Sequence, residues 1–437
     1  MDWSVIGIIL SLVFIIVLAL RGWHIIIIAP LAVVLLSIFS DMNIIQSLTG
    51  PYMKGFINYA GKFYLIFLAG SLFGKFMEDG QAARSIAAGI LKVIGTESPM
   101  RMMFAISLVS IALTYGGVSV FVVIFAIIPI ARPLFKQLNL PWHLFTAAFF
   151  FGTVGMTMTM LPGTPQIQNI MPTKYMASTA TAAPLVGLTG ALIITLFNFF
   201  YFRYIIKKAK ERGEVYEDPA PGILGAGVAA SGPMPNVWIS LIPLVVVLVL
   251  LNVDLPYIKK DVVLALTGGV IACLILFWKH YNNIIDTLNK GAVNTVIPIV
   301  NTCADVGYGM AVAATTGFKL VSTWLLTLPM HPIISLSIAT NIMAAITGSA
   351  SGGLGIILET LAPKYLALGL SPELIHRIAC MSSGAFDAMP HNGFVITALA
   401  VSGLVHANAY KHIFWCHVVA TTISLFFAIP LGILIYG

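Results

Sequence analysis

The stretch 158-MTMLPGTPQIQN-169 decides how the rest of the chain is read. Pro162 and Pro165, with Gly163 and Thr164 between them, interrupt one of the most apolar regions of the sequence. Proline removes a backbone donor and clashes with the preceding turn, so no regular helix passes through this segment. In hydrocarbon such a break leaves peptide groups without partners, and it is tolerated only where protein buries it or where it lines a watery cavity. The break therefore predicts a site.

Working outward, the 437 residues are 59% hydrophobic and only 9% charged, far from the balance of a soluble domain. Apolar runs recur at Val5 to Leu20, Ile25 to Phe39, Phe63 to Phe76, Pro184 to Phe202, Val237 to Leu251 and His412 to Tyr436. An all-α polytopic membrane protein is the fold class this composition implies. The first run has no basic segment before it and no small-residue cleavage site after it, so it is expected to stay as a resident helix. The net charge of +7 is spread over loops and forms no basic face, which argues against a nucleic-acid partner. Cys273, Cys303, Cys380 and Cys416 have no ligand spacing and are read as buried small hydrophobes. No metal or cofactor is expected.

The longest polar stretch, 207–236, passes from charge into Pro, Gly, Ala and Ser, and falls near the middle of the chain. It divides residues 1–206 from 237–437, and a central linker prompts a search for an internal repeat. Phe73-Gly74 and Gly80 have counterparts in Tyr308-Gly309 and Gly317. The tip 114-TYGGVS-119 corresponds to 347-TGSASGG-353, and 161-LPGTP-165 to 389-MPHNG-393. The order is the same and the offsets nearly equal. Each half then reads as three spans, a short amphipathic stretch, a Gly-broken re-entrant hairpin, a discontinuous helix and a final span. A hairpin that returns to its own side leaves an odd number of crossings per half, so the second repeat is expected to be inverted. Placing the linker in the cytoplasm puts most Lys and Arg inside and leaves Lys54, Lys62, Lys174, Lys259, Lys260, Lys319, Lys364 and Arg377 outside.

Broken helices expose N–H groups at new helix starts, and these attract anions without a basic side chain. Two hairpin tips and two breaks, meeting near the midplane, are expected to hold a small anion. Thr114, Ser119, Thr164, Thr347, Ser349, Ser351 and Asn392 supply neutral donors and acceptors. Gly116, Gly117, Gly163, Gly352 and Gly353 allow close approach to backbone. Tight helix packing through small residues is the alternative use of those glycines. Among ionisable residues in the spans, Asp387 and His391 stand at i and i+4 around Pro390 and are read as coupling residues, or else as a tether. Asp305 and Glu359 lie further from the breaks in sequence, and Glu78 and Asp79 end a span.

The stretches 113-LTYGGVSVFVVIFAIIPIA-131, 159-TMLPGTPQIQNIMPT-173 and 386-FDAMPHNGFVITALAVSGL-404 resemble signatures of the gluconate permease family (GntP) of the ion-transporter superfamily. The resemblance covers most of the chain from about Phe63. It implies a secondary transporter of organic anions in the bacterial inner membrane, usually proton-driven, dimeric, with elevator-type alternating access. Where gluconate carriers proper carry an HVNDSGFW-like stretch, this chain has DAMPHNGFVIT, a form closer to relatives associated with short hydroxy acids such as 3-hydroxybutyrate. The expectation is thus a symporter of a hydroxymonocarboxylate with a proton, sodium or a sugar-acid substrate being the alternatives. A channel built from broken helices, or an intramembrane enzyme with Ser119 or Ser351 as nucleophile and His391 as base, are the competing classes.

Overall fold

A computed structural model describes residues 3–21, 23–95, 97–218, 233–254, 261–327 and 329–437. Lys259, Lys260 and residues 219–232 of the linker lie outside the described residues. Among those described, the regular structure is helical throughout. The first half runs α1 (Trp3–Leu20), α2 (Ile25–Phe39), α3 (Met53–Asp79), α4 (Ala82–Ile94), α5 (Pro99–Tyr115), α6 (Val120–Gln137), α7 (Phe145–Phe150) and α8 (Pro184–Glu211). The second runs α9 (Val237–Asn252), α10 (Val262–Phe277), α11 (Ile284–Ala314), α12 (Thr316–Thr327), α13 (Pro332–Thr347), α14 (Ala350–Thr360) and α15 (Pro372–Ser383). It ends in α16 (Gly393–Ser402), α17 (His406–Ile413) and α18 (Ala420–Tyr436). Helix α8 carries on past its apolar run to Glu211, so the first residues of the expected linker are helical.

Five helical stretches among the described residues are long and apolar enough to cross a bilayer: Ile44–Asp79, Pro184–Glu211, Val262–His280, Ile284–Ala314 and His406–Tyr436. Local chemistry sets their ends. Asn236, Asp261 and Asn283 accept from N–H groups at the starts of α9, α10 and α11, and Ser98 does so ahead of Pro99 in α5.

The long helices α3 and α11 pack along each other. Glycines make this possible: a Cβ at Gly307 would lie 2.8 Å from the Tyr52 carbonyl, and one at Gly55 would lie 2.9 Å from that of Val306. Around this pair the packing repeats itself. Helix α2 lies on α11 as α10 lies on α3, and α1 contacts α12 as α9 contacts α4. Helices α8 and α18 pack together at the outside, where both leave large apolar side chains exposed.

Two expectations need correction. Arg377, counted among the outer loop residues, is fully buried in α15. Its Nε donates to the Ala182 carbonyl at 3.0 Å and its Nη2 to that of Ala180 at 3.2 Å. The local charge signal is the same for a loop arginine and a bracing one. Asp387 and His391 were placed one helical turn apart, yet 384–392 is a run of turns and bends. Pro390 and the glycines on either side, Gly384 and Gly393, prevent the helix that the spacing assumed.

Candidate functional site

The hairpin α5–α6 turns at Gly116–Gly117. Gly117 has φ +99°, a backbone conformation that side chains avoid, and a Cβ there would sit 3.0 Å from Pro165. Hairpin α13–α14 turns at Gly348, with φ +59°, against the ring of His391. The helix α7 widens into a π-helical stretch, Phe151–Met158, and stops at the first break. The second break separates α15 from α16, whose first turn is capped by Asn392 Oδ1 accepting from Val395 N–H at 2.8 Å.

These four irregular segments meet with α3, α10 and α11 around one cavity of about 180 Å³. Of the residues singled out in the sequence, Gly117, Ser119, Ser349, Ser351, Asn392 and Asp387 line it. The Ser119 hydroxyl makes no capping bond to α6 and is available to a ligand. Ser349 caps α14 through Gly352 N–H at 3.2 Å and lies 3.4 Å from the Ser351 hydroxyl. Asn392 Nδ2 donates to the Gly348 carbonyl at 2.8 Å, tying the second break to the second tip.

The others do not line it. Thr114 is buried, its hydroxyl 2.6 Å from that of Thr157, so it clips the first hairpin to the broken helix. Thr347 bonds back to Met343 at 2.9 Å. Gly116 accommodates Leu244, and Gly353 lies against the Ala344 backbone, which are packing roles. Gly163 donates to the Ala180 carbonyl at 2.8 Å and accepts from Asn252 Nδ2 at 2.8 Å, while Thr164 accepts from Asn169 Nδ2 at 2.8 Å through its carbonyl. Gly352 sits just behind the wall, where a Cβ would lie 3.2 Å from that of Asp305.

His391 is buried, and no side chain among the described residues bonds to its ring nitrogens. It is therefore not bonded to Ser119 or Ser351. The partner of Asp387 is instead His417, whose Nε2 lies 2.9 Å from Oδ1, both groups being buried. His417 comes from a π-helical stretch, Phe414–Val419, inside the last span.

Sequence reasoning also missed Gln166, Asn301 and Thr302 in the lining and left Asp305 aside. Gln166 Nε2 donates to the Thr114 carbonyl at 2.6 Å, joining the first break to the first tip. Asn301, Thr302 and Asp305 follow Pro298 as a polar stripe at i, i+1 and i+4 in α11, a pattern visible in the sequence. Arg377 braces the wall from behind and does not line the cavity, so the lining holds no basic side chain.

No protein family's sequence profile matches the chain. The uncharacterized transporter YxjC of Bacillus subtilis is 32% identical over 448 residues, which cover 93% of this chain and 94% of that one. An uncharacterized transporter of Haemophilus influenzae is 27% identical over 340 residues, covering 75% and 74%. Among solved structures, the YdaH transporter of Alcanivorax borkumensis superposes with a TM-score of 0.55 at 16% identity, over 90% of each chain. MtrF of Neisseria gonorrhoeae, described as one of a class of antimetabolite efflux pumps, gives 0.51 at 13% identity, over 90% of this chain and 84% of that one. The two superpositions establish a shared fold.

Proposed function

Because the chain belongs to the family of the Bacillus subtilis transporter YxjC and is, like it, a multi-pass membrane transporter, we propose that its cargo is a small organic anion moved by cation-coupled symport. The observation that carries this reading is the convergence of two hairpin tips and two helix breaks on one cavity, lined by hydroxyl and amide groups beside the carboxyls of Asp305 and Asp387. Ser119, Ser349, Ser351 and Asn392 are the anion's side-chain partners, and the strained Gly117 admits it close to backbone. With no basic side chain in the lining, a single carboxylate is the charge the site accommodates, since further carboxylates would lack partners.

The resemblance to the gluconate permease family supports an organic acid, and the DAMPHNG form favours a short hydroxymonocarboxylate such as 3-hydroxybutyrate over gluconate. The matching contacts of the two halves support an internal repeat; the odd crossing count of each half supports its inversion, the balance of Lys and Arg a cytoplasmic linker, and the resemblance a bacterial inner membrane. A dimer moving by an elevator mechanism is the arrangement the same resemblance implies. In this reading Asp387 carries the coupling proton, with His417 in the place expected for His391.

A melting screen of the purified protein against 3-hydroxybutyrate, gluconate and dicarboxylates tests the cargo. A ligand bound only to the folded state at a hundred times its Kd stabilises it by about 2.7 kcal/mol. The expected result is a saturable rise with the hydroxymonocarboxylate, lost in Ser351→Ala. Stabilisation by dicarboxylates alone sinks the monocarboxylate reading.

A further inference from the structure

Of the five acids singled out in the spans, four have partners, Glu78 lying 3.3 Å from Lys75. Asp79 meets Lys75 at 2.7 Å, Glu359 meets Lys62 at 2.7 Å, and Asp387 meets His417 at 2.9 Å. Asp305 is the exception. It is 8% exposed, lines the cavity from α11, and has no hydrogen bond or ion pair among the described residues. One turn before it on the same helix, Asn301 also lines the cavity, and its buried Oδ1 has no donor. Facing them is the second hairpin tip. Gly352 is close enough that a Cβ would touch Asp305, and Ser349 and Ser351, whose hydroxyls lie 3.4 Å apart, line the same cavity. The titratable neighbours are Cys303 on α11 and Tyr52 and Tyr59 from the side of α3, none of them cationic.

A buried carboxylate without a partner is too costly to stand alone, so this one holds either a proton or a bound cation. An orphaned amide oxygen beside it and two hydroxyls opposite form a set of hard oxygen donors, the chemistry that suits a small alkali cation. We propose that Asp305, Asn301, Ser349 and Ser351 form a sodium-type cation site, separate from the Asp387–His417 pair. The site rests on the anion reading only for its consequence. An anion entering a cavity that already holds a bare carboxylate is repelled, and a bound cation removes that repulsion, so each ligand strengthens the other's binding.

The test uses the full-length protein in nanodiscs without any organic anion, melted in sodium chloride against choline chloride at equal ionic strength. The wild type is expected to gain stability with sodium in a saturable manner. Asp305→Asn is expected to raise the half-saturating sodium concentration about tenfold or more, as loss of a charged ligand does, and Asp286→Asn, at an acid paired with Lys290 near the start of α11, to leave it unchanged. If Asp305→Asn does not fold, Asn301→Ala and Ser351→Ala carry the test, each expected to weaken the sodium response. A wild type indifferent to sodium, or an Asp305→Asn protein that responds as the wild type does, overturns the site. A sodium response with no response to any organic acid upholds the site and rejects the anion.

Discussion

The two helix breaks occupy corresponding places in the two halves and are built from different chemistry. Residues 159–166 contain no ionisable side chain, and neutral groups hold their backbone. Tyr115 OH donates to the Pro162 carbonyl at 2.9 Å, and Asn252 and Ala180 take the two ends of Gly163. Residues 384–392 are held in a parallel way, with Tyr410 OH on the Ala388 carbonyl at 3.1 Å and His406 on that of Pro390 at 2.9 Å. Yet this second break also carries Asp387 and His391. Both breaks are thus fixed ledges with their exposed carbonyls taken up, as burial in a membrane requires. Only the second can change its charge. A pair of matched ledges suits a cargo that must be met from both sides, and one titratable ledge suits a driving ion that is handled once.

The largest expected effect comes from removing the brace of the neutral ledge. Hydrogen bonds from a charged donor contribute about 1.5–3 kcal/mol each. Arg377→Met drops two, to Ala180 and Ala182, so it is expected to destabilise the protein by about 3 kcal/mol or more. Melting in detergent reads this directly. A wild-type midpoint would mean that the first ledge stands without its arginine.

Next is the tip that faces that ledge. Gly117→Val forces a branched side chain into φ +99° and against Pro165, a strain of about 1–3 kcal/mol that the surrounding helices can absorb. Uptake into vesicles is expected to fall to background while the protein still inserts. Normal transport at normal expression takes this tip out of the anion's path.

The smallest change sharpens the contrast between the ledges. Asp387→Asn keeps an oxygen for His417 Nε2 and loses only the charge. Exchange of labelled substrate across the membrane is expected to continue, while accumulation driven by a pH gradient disappears. Gradient-driven accumulation at the wild-type level removes Asp387 from coupling and leaves it as a tether.

Much of this was legible along the chain. Hydropathy, proline and glycine act within a few residues of themselves, so the membrane class, the first hairpin tip at Gly117 and both breaks are legible in the sequence, whereas the second tip, expected at Gly352–Gly353, turns at Gly348. Five residues of the tips and the second break, Gly117, Ser119, Ser349, Ser351 and Asn392, line the cavity. Thr114 and Thr164 carry the same kind of donor, and their sequence neighbours are just as suggestive. Which way each side chain turns depends on the helix packed against it, and that is not a local property.

The sequence by itself determined that helices must break, and where, because the cause lies in the covalent structure of proline and glycine. Only the tertiary structure decided who meets whom. Asp387 is separated from His417 by two helices, α16 and α17, Arg377 reaches the loop after the first break from the other half, and Asp305 joins the second hairpin tip across a helix interface. Partnerships of this kind arise when distant segments exclude lipid and water together, and burial then makes the presence or absence of a partner matter.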